Sequence, residues 1–207
     1  MKRISKTSRD LQAEERKKQI LQGAKELFAL HGFHGTSVRT INKHVGITDG
    51  LLYHYFPGGK QEILETIFHE SQEERMASMD RLIASIHPDL PLEEGLYLFI
   101  SGMVKTMTGD KDFIQIMFRD SATILSDQKD FMSEMIQQRQ QALAEILEKR
   151  GKAGEIQEMD YTLAAYQIMS VGITTIFKEV SFIKVIQMDL ETYLRKMVHF
   201  TVDLWRP

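Results

Sequence analysis

The sequence predicts an all-α protein built in two parts, and three observations carry that prediction. Apolar residues recur three and four positions apart along nearly the whole chain, and no two-residue alternation persists. The 13 glycines and four prolines of the 207 residues leave room for long helices, and Gly32, Gly46, Gly151 and Pro88 fall where helices should stop. Charge is divided unevenly: residues 1–60 hold 11 Lys/Arg against 5 Asp/Glu, a balance of +6, whereas residues 61–207 hold 15 against 24, a balance of −9.

The elements follow in order. After the basic start "MKRISKTSRD", the stretch "ERKKQILQGAKELFALHG" places Ile20, Leu21, Ala24, Leu27, Phe28 and Leu30 on one helical face, and Gly32 supplies the stop. Ser37, or alternatively Thr36, caps a short helix over Val38–Val45. Gly46 permits a left-handed turn, and a second short helix runs from about Thr48 to Tyr55. Val38, Ile41, Val45, Ile47, Leu52 and Phe56 are the predicted inward positions. A long amphipathic helix extends from Lys60 to Ile86 and ends before Pro88. Pro91 opens the next helix. A shorter one covers "DKDFIQIMFRDSATIL", a long one ends at Gly151, and two more complete the chain. The organisation expected is a basic arm over 1–13, a first domain over 14–74 and a second over 75–207.

Several functions are excluded or unsupported by residue type. There is no cysteine, hence no disulfide framework or thiolate metal site. The seven histidines lack zinc-site spacing, so no metal is expected. "PGGK" at 57–60 is too short for a phosphate loop, and no nucleophile–base pair is recognisable, so neither enzyme activity nor a cofactor is expected. The longest uncharged run, Tyr161–Phe177, is too short and too polar to cross a membrane, so a cytoplasmic protein is expected.

Two short helices joined at a glycine turn make a helix-turn-helix, which can hold its second helix in a DNA major groove. The polar residues around those helices suit that use: Arg side chains fork onto guanine, while Thr, Tyr and backbone N–H groups reach phosphates. The segment "TSVRTINKHVGITDGLLYHYFPGGKQEIL", with the helix before it, resembles the DNA-binding signature of the TetR family of bacterial transcriptional regulators over about residues 14–70. One departure is Asn42, where that family usually has Ala. The resemblance implies a three-helix DNA-binding domain followed by a helical ligand-binding and dimerisation domain. It implies a homodimeric repressor released from a palindromic operator, a double-stranded DNA partner, by a small apolar or amphipathic effector. Ser37, Arg39, Lys43, Thr48, Asp49, Gly50, Tyr53, His54, Tyr55 and Lys60 become the candidate DNA-facing residues, with Lys60 on a phosphate. Phe99, Met103, Met107, Phe113, Met117 and Phe118 are candidate effector-pocket walls, or alternatively ordinary core. Ala165, Met169, Gly172 and Ile176, with Leu194, Met197, Val198 and Thr201, are candidate dimer-interface residues on the last two helices. A helical carrier of small molecules without DNA binding is the competing reading, and salt-sensitive binding to a palindromic duplex separates the two.

Overall fold

The computed structural model describes residues 7–124, 129–180 and 187–207, with backbone alone at 121–124, 129–132 and 180. The described residues form helices and no strands: α1 (Ser8–His31), α2 (Val38–Val45), α3 (Asp49–Tyr55), α4 (Gly59–Ala84), α5 (Leu92–Thr108), α6 (Lys111–Ile124), α7 (Lys129–Lys152), α8 (Tyr161–Val180) and α9 (Leu190–Trp205). The protein is all-α, as its periodicity predicts. Two compact units emerge, one of residues 1–72 and 112–126, the other of 73–111 and 127–207.

In the first unit, Ile20, Ala24 and Phe28 of α1 are fully buried together with Ile41 of α2, Leu52 of α3, Phe56 and Ile63. These are positions the helical spacing turns inward, and burying each of the larger side chains contributes on the order of 1.5–3 kcal/mol; Leu30, expected on the same face, is instead 69% exposed. α1 approaches α2 closely at Gly23, where an added Cβ would lie 2.6 Å from Val45 Cγ2. α6 belongs to this unit as well. Its Phe113 ring stacks on Phe68 of α4 at 6.0 Å. Near its end the backbone leaves helical geometry at Asp120 (φ −111°, ψ 18°). That departure brings polar groups to the end of α1: Phe33 N donates to Asp120 Oδ2 at 3.1 Å, and Arg119 Nη1 donates to Ala29 O at 3.0 Å. One donor and one acceptor left over where α1 stops are thereby satisfied from a distant part of the chain.

The second unit is centred on α5, which packs against both α8 and α9, while α7 packs against α8. Leu96, Phe99 and Ile100 of α5, Leu143 and Leu147 of α7, and Ala165 and Ile168 of α8 are fully buried. Polar ties close its loops. Arg150 donates to His87 O (2.7 Å) and Leu90 O (2.8 Å) and pairs with Glu155 at 2.6 Å. Arg75 donates to the Thr106 and Met107 carbonyls, both at 3.3 Å, and pairs with Asp110 at 3.2 Å. Burial pushes the Arg75 pKa down, opposed by the Asp110 charge. A buried guanidinium so lowered still stays protonated at neutral pH.

Candidate nucleic-acid interface

The geometry around α2 and α3 is set by local chemistry. Ser37 caps α2, its side chain accepting from Thr40 N at 3.1 Å. Thr36, the alternative cap, is instead buried, and its hydroxyl donates to Gly32 O at 2.9 Å. α2 stops at Gly46, which is left-handed (φ 74°, ψ 43°). Asn42 O accepts from both Gly46 N (2.9 Å) and Ile47 N (3.0 Å), satisfying the end of the helix. Thr48 then caps α3, accepting from Leu51 N at 3.4 Å. Leu52 and Phe56 are fully buried, which orients the short helix.

That orientation leaves Arg39, Lys43, Thr48, Asp49, Gly50, Tyr53 and His54 exposed, Tyr55 half-buried, and Ser37 exposed at the head of α2. The His54 and Tyr55 rings meet edge to face at 5.2 Å. Gly50 is informative because a Cβ added there would meet nothing within 4 Å, and its backbone lies outside the left-handed region. Neither packing nor backbone conformation within the chain calls for glycine at this position.

Two polar side chains are more committed than the sequence indicates. Asn42 is buried, and its Nδ2 donates to Asp49 Oδ1, bracing α2 against the first residue of α3. Lys60 Nζ donates to Phe33 O and Thr36 O, both at 2.9 Å, and lies 4.4 Å from the centre of the Phe33 ring. The expectation of a phosphate contact at Lys60 therefore meets an ammonium already engaged by two carbonyls of the α1–α2 connection. Nothing in the local sequence reports that 27-residue reach.

The other candidates divide between the units. Phe99 and Met103 are buried in the second unit's core, with Met107 half-buried against it. Phe113 is core in the first unit, where Met117 is half-buried and Phe118 is 54% exposed. The structure places the candidate dimer residues mostly inside the chain. Ala165, Met169, Gly172, Ile176, Leu194, Val198 and Thr201 are buried within the chain itself, and Met197 is half-buried. The small residues do admit a close neighbour, but it is internal: a Cβ on Gly172 would fall 1.5 Å from Met103 Cε. The exposed stripes are Leu163, Tyr166, Ile173 and Phe177 of α8 and Phe200 and Leu204 of α9.

Comparison with known proteins agrees with this architecture. The family model described as "Bacterial regulatory proteins, tetR family" matches residues 20–67, which contain α2 and α3. The HTH-type transcriptional regulator UidR of Escherichia coli (strain K12) is 34% identical over 76 residues, 37% of this chain and 38% of that protein. The chain thus aligns with under two fifths of UidR. The fatty acid metabolism regulator protein of Bacillus subtilis (strain 168) is 30% identical over 154 residues, 72% of this chain and 76% of that protein. Among solved structures, the TetR family transcriptional regulator PfmR from Thermus thermophilus superposes with a TM-score of 0.69 at 22% identity, covering 89% of this chain and 97% of that one. AibR, solved in complex with isovaleryl coenzyme A and operator DNA, gives 0.65 at 18% identity, covering 89% and 97%. At those identities the structures speak for the fold. The family model over residues 20–67, together with the alignment over three quarters of the Bacillus protein, establishes that this chain belongs to the tetR family of bacterial regulatory proteins.

Proposed function

We propose that the chain is a cytoplasmic, homodimeric transcriptional repressor that binds a palindromic operator through α2 and α3. The observation that carries this reading is the bare outer face at Gly50. A residue that gives up about 1 kcal/mol of helix propensity, with no internal reason for it, suits close approach of an external backbone. Thr48, Tyr53, His54, Arg39 and Lys43 surround it with groups that reach phosphates and base edges. The unit of residues 1–72 and 112–126, which extends the expected 14–74 by the start of α1 and by α6, serves as the DNA-binding domain, and the unit of 73–111 and 127–207 as the effector and dimerisation domain.

The exposed apolar stripes of α8 and α9 supply the dimer face, pairing two copies of α3 for two half-sites. The effector is amphipathic with an apolar, acyl-type part. The fatty acid regulator among the relatives and the isovaleryl coenzyme A in the AibR complex support that class. Phe99, Met103 and Met107 are the proposed contacts, with the Met103 methyl moving off Gly172 to make room.

The test is selection of bound duplexes from a random pool by the purified chain, followed by titration with acyl-coenzyme A thioesters. Recovery of one inverted repeat, with affinity falling about 5–150-fold on addition of one of those compounds, is the expected result. Equal recovery of all sequences removes the repressor reading. The carrier reading then stands if the same thioesters bind.

A further inference from the structure

α1 begins far ahead of the core it serves. Thr7 and Asp10 form a reciprocal capping box at its start, Thr7 N donating to Asp10 Oδ2 at 2.9 Å. The first buried residue is Ile20, so residues 8–19 form a helical projection of about 18 Å without a buried side chain. A helix face that serves only to pack against a neighbour is apolar. The face that this projection turns toward α3 reads Arg9, Gln12, Ala13, Arg16 and Gln19 at helical spacing. Across from it stand Leu51 and Tyr55 of α3, both half-buried, and the space enclosed is an open groove of about 500 Å³. Arg16 Nη1 donates to Gln19 Oε1 at 3.0 Å, which steadies the guanidinium beside the groove. Glu15 is the one acid on the lining.

We propose that this groove seats the sugar–phosphate backbone of duplex DNA, with Arg9 and Arg16 each on a phosphate and Tyr55 and the glutamines hydrogen-bonding along the strand. The inference deepens the reading of α3 as the recognition helix and rests on it. A polar, cationic groove fits a polyanion and offers an apolar peptide little to bury. Its wall is α3 itself, so a strand lying in it runs beside whichever groove α3 enters. The chain as a whole carries a net charge of −3, and Lys2, Arg3 and Lys6 precede Arg9 in sequence. The cationic charge is thus gathered at this end of the chain, as association with phosphate requires.

The experiment is fluorescence anisotropy of the full chain on a labelled mixed-sequence duplex across a salt series. The variants are Arg9→Gln with Arg16→Gln, Arg9→Lys with Arg16→Lys, and Lys105→Gln with Lys149→Gln as a charge-matched control on exposed positions of the second unit. Two lost phosphate contacts should flatten the slope of log affinity against log salt by about 1.8, so that the wild-type advantage shrinks about tenfold between roughly 50 and 200 mM salt. The lysine pair should keep the wild-type slope, and the distant control should leave it nearly unchanged. Helicity by circular dichroism should be equal in all, since both arginines are exposed. A glutamine pair that keeps the wild-type slope overturns the groove while leaving α3 as the reader. An equal loss in the distant control also overturns it, because net charge would then explain the effect. Absence of any duplex binding by the wild type overturns the recognition-helix reading and the groove together.

Discussion

The Asn42 amide donates a hydrogen bond to the Asp49 carboxylate across the turn that joins α2 to α3. Asn42 Oδ1 is buried without a partner among the described residues. One side of the amide therefore braces the turn and the other is desolvated. Replacement by Ala removes both a hydrogen bond and an orphaned acceptor, so Asn42→Ala should change stability by no more than about 1 kcal/mol. Asn42→Asp is the severe change, because it sets a buried carboxylate against Asp49 and should cost about 3 kcal/mol at neutral pH. Burial and the like charge raise the folded-state pKa of the new acid. The deficit relative to wild type is then fully present above that raised pKa and shrinks as pH falls through it. Urea melts of both proteins over a pH series check this, and a pH-independent deficit would point to sterics instead.

Lys60 ties α4 to the connection between α1 and α2 through Phe33 O and Thr36 O. Lys60→Met keeps the aliphatic stem and removes the charge, leaving two carbonyls without their donor. Bonds to a charged donor contribute roughly 1.5–3 kcal/mol each, and partial hydration of a half-buried site brings the expected loss to about 2 kcal/mol. Chemical denaturation measures it. The accompanying change in the salt slope of DNA binding should be small, since the ammonium already faces protein. A stable Lys60→Met protein with a flattened slope would restore the phosphate role.

The helix-turn-helix was legible because its determinants are local. Ser37, Gly46 and Thr48 announce one stop and two starts, and Ile41, Leu52 and Phe56 mark the inward side. Which side of α8 is interior was not legible, because α8 is apolar on more than one side and residues such as Tyr166 and Phe177 read equally as core or surface. The stripe through Ala165, Met169, Gly172 and Ile176 and the stripe through Leu163, Tyr166, Ile173 and Phe177 have similar spacing. Only the position of α5 shows that the first is interior. Lys60, Arg119 and Asp120 reach partners 24–90 residues away, and such ties leave no mark on neighbouring sequence. The expected basic arm over 1–13 gives way to helix from Ser8, because residues 8–13 place no side chain in the core and so show no apolar period. The capping signal of that helix, Thr7 followed three residues on by Asp10, was the available clue.

Glu26 on α1 is 3.0 Å from His44 on α2. A hydrogen bond with the Gln22 amide, then one with His44, holds the Glu26 carboxyl below its ordinary value against mild desolvation. A depressed carboxylate contributes stability that is present above its unfolded pKa and lost as pH falls through the folded one. Both side chains are about half exposed, so solvent screening keeps the contribution under roughly 1 kcal/mol. Glu26→Gln should therefore lower stability slightly at pH 7 and converge with wild type in the acid range, as read from paired thermal melts. A gap that persists undiminished below the carboxylate range would rule out this pairing as its source.

Ile173 of α8 is 57% exposed and Phe200 of α9 is 60% exposed. An apolar stripe of this kind on two helices suits a symmetric four-helix contact. Ile173→Lys with Phe200→Glu should yield a folded monomer where wild type sediments as a dimer, and should weaken operator binding by dividing the two half-site readers. By contrast, Thr201→Glu, buried within the chain, should unfold the second unit. Sedimentation and circular dichroism on the three proteins separate the outcomes, and a wild-type monomer at micromolar concentration would remove the dimer.

Gly50 offers the sharpest separation of folding from recognition. An added Cβ meets only open space in the chain, and α3 gains helix propensity of up to about 1 kcal/mol from alanine. Gly50→Ala should therefore raise the midpoint of thermal unfolding slightly. If the bare backbone exists to let DNA approach, the same methyl should weaken binding to a selected operator about tenfold, which is about 1.4 kcal/mol. Serine should behave like alanine in binding, because the obstruction is the Cβ they share. A variant that is stabler and binds operator as tightly as wild type would show that α3 does not come close to DNA at this position. The opposed signs, more stable yet weaker on DNA, are what a surface residue kept for a partner produces, whereas filling a glycine kept for packing lowers stability.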